Sequence, residues 1–467
     1  MSLLRKKTIQ EILANAEKNT LKKTLGAFDL VMIGIGCTIG TGIFVVTGIA
    51  AATYAGPAIA ISYFLAAVVC IFAGLAYAEL ASMVPVAGSA YTYSYAVLGE
   101  FIAWLVGWGL VLEYAIGAST VASGWSGYMV GILKSGGILI PEALANSPAN
   151  GGIINLPAVL ISLFIGVLLF RGTKESVKLN RILVVTKLGV IFLFLVIATP
   201  MIKMDNWSDF TPFGISGIFI GAATVFYAYI GFDAVATAAE ECKNPKKDLP
   251  IGIIVSAAVC AVLYVAVSLV LTGIVRYDTL NNAEPLARAL RENGSNIGSA
   301  LVATGAIAGI TSVLLILIYG QSRIFFVMAR DGLIPPAFCK LHKKFATPHF
   351  AVAFVSIAVA LISGFFPLKT LSHMTSLGTL FSFVIVAIGV LVLRRTEPNL
   401  PRNFKCPAAY FTVPVAVISC GYLIYNLLIE NGIYFSIWTI IGLIIYFGYS
   451  YKNSPLGKAN YSISHLK

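Results

Sequence analysis

Gly34-Ile35-Gly36-Cys37-Thr38-Ile39-Gly40-Thr41-Gly42-Ile43-Phe44 sets four glycines inside an apolar run covering residues 28–52. Such a run is long enough to cross a bilayer, which takes roughly 20 helical residues. A glycine in a helix interior costs roughly 1 kcal/mol against alanine, so four of them mark a point where the helix opens or another backbone comes close. An opened helix frees N–H and C=O groups at mid-membrane depth. Lipid cannot satisfy those groups, and non-helical backbone is tolerated there only where protein or a polar cavity surrounds it. The stretch therefore reads as a binding site within a membrane.

The rest of the chain supports that setting. Of 467 residues 58% are hydrophobic and 11% charged, and apolar runs long enough to span recur throughout. Twelve spans are expected, near residues 28–52, 57–81, 100–133, 153–171, 182–200, 214–239, 250–275, 297–328, 349–366, 374–394, 411–429 and 434–451. The first 25 residues are polar and basic, so no cleaved signal peptide is expected. A net charge of +12 suggests nucleic acid until its placement is examined. Of the 32 Lys and Arg residues, 24 fall in the termini and loops of one side and 6 on the other, while Lys187 and Arg323 lie within spans. This is the positive-inside pattern of a multi-pass cell-membrane protein with both termini in the cytoplasm, and no nucleic-acid partner follows from it. The seven cysteines and four histidines are scattered without ligand spacing, so neither a disulfide framework, a metal nor another cofactor is expected.

Along the chain, residues 7–25 read either as a segment lying on the anionic inner leaflet or as a solvated tail. Span 2 ends at Pro85 and Gly88, and the nearby Tyr77, Tyr91 and Tyr93 suit a membrane interface. Glu113 lies thirteen residues beyond Glu100, about 20 Å along span 3 at 1.5 Å per residue. A carboxylate at that depth needs a cavity or a partner; the alternative is a structural hydrogen bond to a neighbouring helix. Lys187 in span 5 is only six residues past Arg181, so it either serves the interior or snorkels to the inner surface. Span 6 carries Phe226-Tyr227-Ala228-Tyr229-Ile230-Gly231-Phe232-Asp233, a glycine and a carboxylate at its middle, and is the second interrupted helix. If spans 1–5 and 6–10 are two repeats, the interruptions match, which points to a transporter site between them.

Four motifs in order, Gly40-Thr41-Gly42, Tyr77-x-Glu79-Leu80 with Pro85-x-x-Gly88-Ser89, Glu240-Glu241-x-x-Asn244-Pro245 and Met328-Ala329-Arg330-Asp331-Gly332, resemble those of the amino acid, polyamine and organocation transporter superfamily, and its cationic amino acid transporter branch in particular. The resemblance implies an all-α membrane protein of LeuT type. Residues 1–26 would be a cytoplasmic segment, 27–200 and 201–396 inverted repeats with helices 1 and 6 interrupted, 397–451 two added helices, and 452–467 a cytoplasmic tail. It implies that a substrate α-carboxylate meets the N–H groups of Thr41, Gly42 and Ile43. The α-ammonium would meet carbonyls at Ile39, Phe226, Tyr227 and Ile230, with Gly40, Ala228 and Gly231 completing the site. Half-helix ends supply these donors and acceptors. Glu113 would pair with the distal cation of lysine, arginine or ornithine, and Ser322 would leave room for it.

Lys187 is similar to a lysine that replaces sodium in proton-coupled relatives, although Thr311-Ser312 resembles the hydroxyl pair of sodium-driven members. The expected function is proton-driven symport of an α-amino acid by alternating access. Sodium coupling or exchange is the alternative, and a membrane-embedded sensor or enzyme the reading from another class. No HExxH, GxSxG or nucleophile–base spacing supports an enzyme. The implied partners are the amino acid, a proton and membrane lipids, with either a small membrane-protein partner or a monomeric state.

Overall fold

The glycine-rich stretch does open. In the computed structural model, which describes residues 5–6, 23–85, 89–171, 177–343, 345 and 347–458, helix α1 (Ala27–Thr38) stops at Ile39, whose backbone is extended. Helical structure resumes as a wide π-type turn over Gly42–Val46 and continues to Ala55. The main helices that follow are α2 (Ile59–Met83), α3 (Ser89–Val97), α4 (Glu100–Ser135), α5 (Leu156–Phe170), α6 (Val177–Ala198) and α7 (Gly214–Val225). They are succeeded by α8 (Pro245–Ile274), α9 (Pro285–Glu292), α10 (Asn296–Arg330), α11 (His349–Phe365), α12 (Leu368–Thr396) and α13 (Ala409–Ile445). No strand occurs among the described residues. Eight helical stretches there are long and apolar enough to cross a membrane, and α1, α5 and α11 are shorter apolar helices.

The last stretch departs from the two separate spans expected at 411–429 and 434–451. Helical residues run without a gap over Ala409–Asn453, about 68 Å if straight, which is twice a hydrocarbon core. Its contacts show a reversal instead. Cys406, just before it, binds Glu79 at one end of the molecule, Glu430 meets Tyr54 and Lys369 at the other, and Tyr451 is back at the first end against Arg5. The turn is tight enough that no loop separates the two passes.

Helix α4 runs through the middle and packs on α10 and α12, while α8 packs on α1 and α2. Small residues set these distances: a Cβ on Gly109 would sit 3.3 Å from the Ser382 hydroxyl, and one on Gly117 3.3 Å from Thr375. The tyrosines assigned to an interface are interior instead. Tyr77, Tyr91 and Tyr93 are buried, as is Tyr95; three of the four hydroxyls find partners inside, Tyr77 with Ser89, Tyr91 with Asp331 and Tyr95 with Glu100, and Tyr93 packs edge-on against the Tyr77 ring. The Pro85–Gly88 break lies partly outside the described residues, as does most of residues 7–25.

Glu79 is held as a structural ion rather than an acid–base group. Arg394 donates to it twice, at 3.0 and 2.6 Å, Arg402 lies 3.4 Å away, and the Cys406 N–H donates at 2.7 Å. Removing one partner of a buried pair costs about 3–5 kcal/mol because the remaining charge is stranded; with Arg402 still present, the lower end applies. Arg394→Ala is therefore expected to lower the thermal unfolding temperature clearly, whereas alanine at the exposed neighbour Arg395 leaves it almost unchanged. Equal effects would remove Glu79–Arg394 as a clamp.

Candidate functional site

Both interruptions come together at one place. Helix α7 tightens into a 3-10 turn at Phe226–Tyr229, Ile230 is extended, and Gly231 takes φ +120° before a second 3-10 segment, Phe232–Glu241. Only glycine suits that backbone, and a Cβ there would also lie 2.8 Å from the Cys37 carbonyl carbon. At Gly42 a Cβ would fall under 3.0 Å from Ala228. The two half-helices thus touch through their glycines, and a side chain on either would force them apart.

Free carbonyls at the ends of the half-helices are partly claimed by neighbours. The Tyr264 hydroxyl of α8 reaches Thr38 O at 3.0 Å and Ala228 O at 2.9 Å. Gly42 O, at the start of the second half-helix, is not free: it accepts the Thr47 N–H and also meets the Thr47 and Tyr63 hydroxyls. Gly36 O accepts from the Lys187 ammonium at 2.6 Å. Lys187 is 1% exposed, so the snorkelling alternative is overturned: its stem runs inward along Gly309 of α10. The Thr311 hydroxyl accepts from Trp125 and donates to Ile307 O, and Ser312 donates to Gly309 O.

Between the breaks lies a small cavity of about 20 Å³, space for about one water. Its walls are Cys37, Thr38, Gly40, Thr41 and Gly42 from the first break, Tyr227 and Ile230 from the second, Glu113, Gly117 and Val121 from α4, Val313 and Leu317 from α10, and Thr375 from α12. Of the residues expected at the site, Gly40, Thr41, Gly42, Glu113, Tyr227 and Ile230 line it. Ile39, Ile43, Phe226 and Ala228 are buried in the packing behind it. Gly231 supplies the turn. Ser322 is not on the wall, and its hydroxyl donates to Tyr319 O of its own helix; the α10 residues on the wall are Val313 and Leu317.

Two buried carboxylates lie in this region, Glu113 on the cavity wall and Asp233 off it. Glu113 Oε2 and Asp233 Oδ1 have no hydrogen-bond partner among the described residues, and the two groups lie within electrostatic reach of one another. Asp233 was visible in the sequence as an intramembrane acid but was not placed in the site. Its carboxylate accepts N–H groups from the turn at Gly231–Ala234, the arrangement that stabilises a helix N-terminus. The Thr38 and Thr41 hydroxyls are also unpartnered and buried. An unsatisfied buried polar group costs about 1–3 kcal/mol, so the three on the cavity wall, from Thr38, Thr41 and Glu113, mark a place prepared for polar company.

Polar contacts tie the elements together at both ends of the region. On the side of the termini, Arg181 pairs with Asp29 at the start of α1, and Lys243 N–H donates to Leu25 O while Leu25 N–H donates to Glu241 O. On the opposite side, Glu430 accepts from Tyr54 and pairs with Lys369, and His373 bridges Thr224 and Asn431.

Known proteins share this chain's pattern along nearly its whole length. The methylthioribose transporter of Bacillus subtilis (strain 168) is 46% identical over 462 residues, 98% of this chain and 100% of its own. The branched-chain amino acid permease BcaP of the same organism is 45% identical over 463 residues, 98% and 99% of the two chains. The vacuolar cationic amino acid transporter 4 of Arabidopsis thaliana is 38% identical over 409 residues, 85% of this chain and 68% of that one. A family profile described as amino acid permease matches residues 25–449. Taken with the paired helix breaks, these likenesses establish that the chain belongs to the amino acid permease family of the amino acid, polyamine and organocation superfamily, a family of membrane transporters and not of enzymes.

Proposed function

We propose that the protein carries an α-amino acid into the cell by alternating access, coupled to protons, and that it accepts cationic side chains. In this reading twelve spans cross the cell membrane with both termini in the cytoplasm, residues 27–200 and 201–396 form inverted repeats of LeuT type, and the helices of the two breaks rock against the rest. The observation that carries it is the placement of Glu113 on the wall of a cavity framed by both breaks. N–H groups at the start of the second half-helix, Thr41 to Ile43, receive the α-carboxylate, and carbonyls of Ile39 and the Phe226–Ile230 turn receive the α-ammonium. Glu113 and Asp233 then face a distal cation. Because the cavity holds only about one water, an amino acid enters only once the contacts at one end part.

Reconstituted in liposomes, the protein should take up arginine in competition with alanine. A hydrogen bond to a charged group contributes about 1.5–3 kcal/mol, so Glu113→Gln is expected to weaken arginine by at least about tenfold and alanine little. An unchanged arginine-to-alanine ratio would remove Glu113 as the reader of the side chain.

A second substrate class has its own support. Val121, Ile230, Val313 and Leu317 make one side of the cavity apolar, which suits the branched-chain residues named for BcaP. Leucine displacing labelled arginine at lower concentration than lysine does would favour that reading.

A further inference from the structure

We propose that a groove between the start of α8 and the connection from α12 to α13 binds an anionic phospholipid, headgroup and acyl chain together. The groove measures about 510 Å³ and is separate from the cavity at the helix breaks. Lys246, Lys247 and Asn403 form its polar rim, and Ile251, Ile254 and Phe404 are among its apolar walls. Both lysines are exposed, and neither makes a salt bridge with another described residue. The one acid in that turn, Asp248, is not on the groove and lies against the Cys242 thiol.

Spacing along α8 gives the site its chemistry. Lys247, Ile251, Ile254 and Val255 follow at steps of four, three and one, so they share one face of the helix. The face changes from cationic to apolar within two turns, about 11 Å, which matches the passage from phosphate to upper acyl chain at a membrane surface. It continues beyond the groove, from Val255 on its wall, 40% exposed, to Val262, seven residues on and 70% exposed. A soluble phosphate would use only the rim. A zwitterionic lipid would place a choline against two unpaired lysines. An anionic phospholipid satisfies the rim and the strip at once, and basic residues at a membrane surface recognise such lipids.

Native mass spectrometry of the full chain, offered equimolar dioleoyl phosphatidylglycerol and dioleoyl phosphatidylcholine, tests this. Two lysines near the surface predict a preference for phosphatidylglycerol of roughly tenfold or more. The double variant Lys246→Gln/Lys247→Gln should bring the two lipids close to parity while every other basic residue stays in place. Ile251→Ala/Ile254→Ala should weaken retention of both lipids and leave their ratio unchanged. Parity in the parent, or a preference that survives the lysine double variant, overturns the site. Displacement of phosphatidylglycerol by millimolar inorganic phosphate, with no effect of the isoleucine variant, also overturns it in favour of a plain anion site.

Discussion

Alanine in place of Lys187 is expected to end accumulation driven by a pH gradient while substrate binding persists. The ammonium is buried and donates to Gly36 O at 2.6 Å, so it grips the last turn of α1 just before the backbone opens. Protonated, it is a charge-assisted donor, the stronger kind of hydrogen bond. Deprotonated, it loses that charge and the hold on α1 weakens. A proton and a substrate that favour the same arrangement raise each other's affinity, typically about 5- to 150-fold. In liposomes with an inside-alkaline gradient, Lys187→Ala should accumulate labelled amino acid about tenfold less than the parent, down towards simple equilibration. Lys187→Met, which preserves the stem packed along Gly309, should fail in the same way, separating charge from volume. Near-normal accumulation in either variant would sink the relay, as would uptake by the parent under a sodium gradient at equal pH.

Gly42→Val is expected to abolish binding and to destabilise the fold as well. A side chain at Gly42 would keep the substrate carboxylate from the N–H groups proposed to receive it. The geometry supplies an earlier obstacle, since a Cβ would lie under 3.0 Å from Ala228. Backbone cannot give way as a flexible side chain can, and overpacking of this kind costs about 1–3 kcal/mol. Gly40→Ala separates the two effects. Its Cβ meets first the Val313 side chain, at 3.2 Å, which can shift by a few tenths of an ångström, so the protein should fold normally and bind more weakly. Thermal unfolding and substrate-induced stabilisation measured on both variants would show it; a stable Gly42→Val that binds like the parent would place the site elsewhere.

The helix breaks were legible because glycine leaves a strong mark in an apolar run. Four glycines announced the first interruption, and Gly231 beside Asp233 announced the second. Which residues touch the cavity was much less legible, since that depends on rotational phase. Leu317 and Ser322 are five residues apart, about 140° around a helix, and only the packing of α10 against α4 decides that Leu317 faces inward. A leucine in an apolar helix carries no signal of its own. Burial of the tyrosines was hidden for a related reason: their partners, Ser89, Asp331 and Glu100, are supplied by the fold. The reversal near Glu430 was legible as two spans, but not the absence of a loop between them.

Tyr264 illustrates what a count of protons adds to a list of distances. Its hydroxyl lies 3.0 Å from Thr38 O and 2.9 Å from Ala228 O, yet it has one hydrogen to give. Among the described residues, the tyrosine's single hydrogen can fully serve only one of the two carbonyls at a time. The deficit cannot be removed by small adjustments, only passed from one break to the other. Any arriving N–H, from water or from an ammonium group, is therefore met by an acceptor already in want of it, and accepting it at one break lets the tyrosine commit to the other. The two interruptions, more than 180 residues apart in the chain, thereby share a single ledger of hydrogen bonds, and a phenylalanine at position 264 would leave it in deficit at both ends.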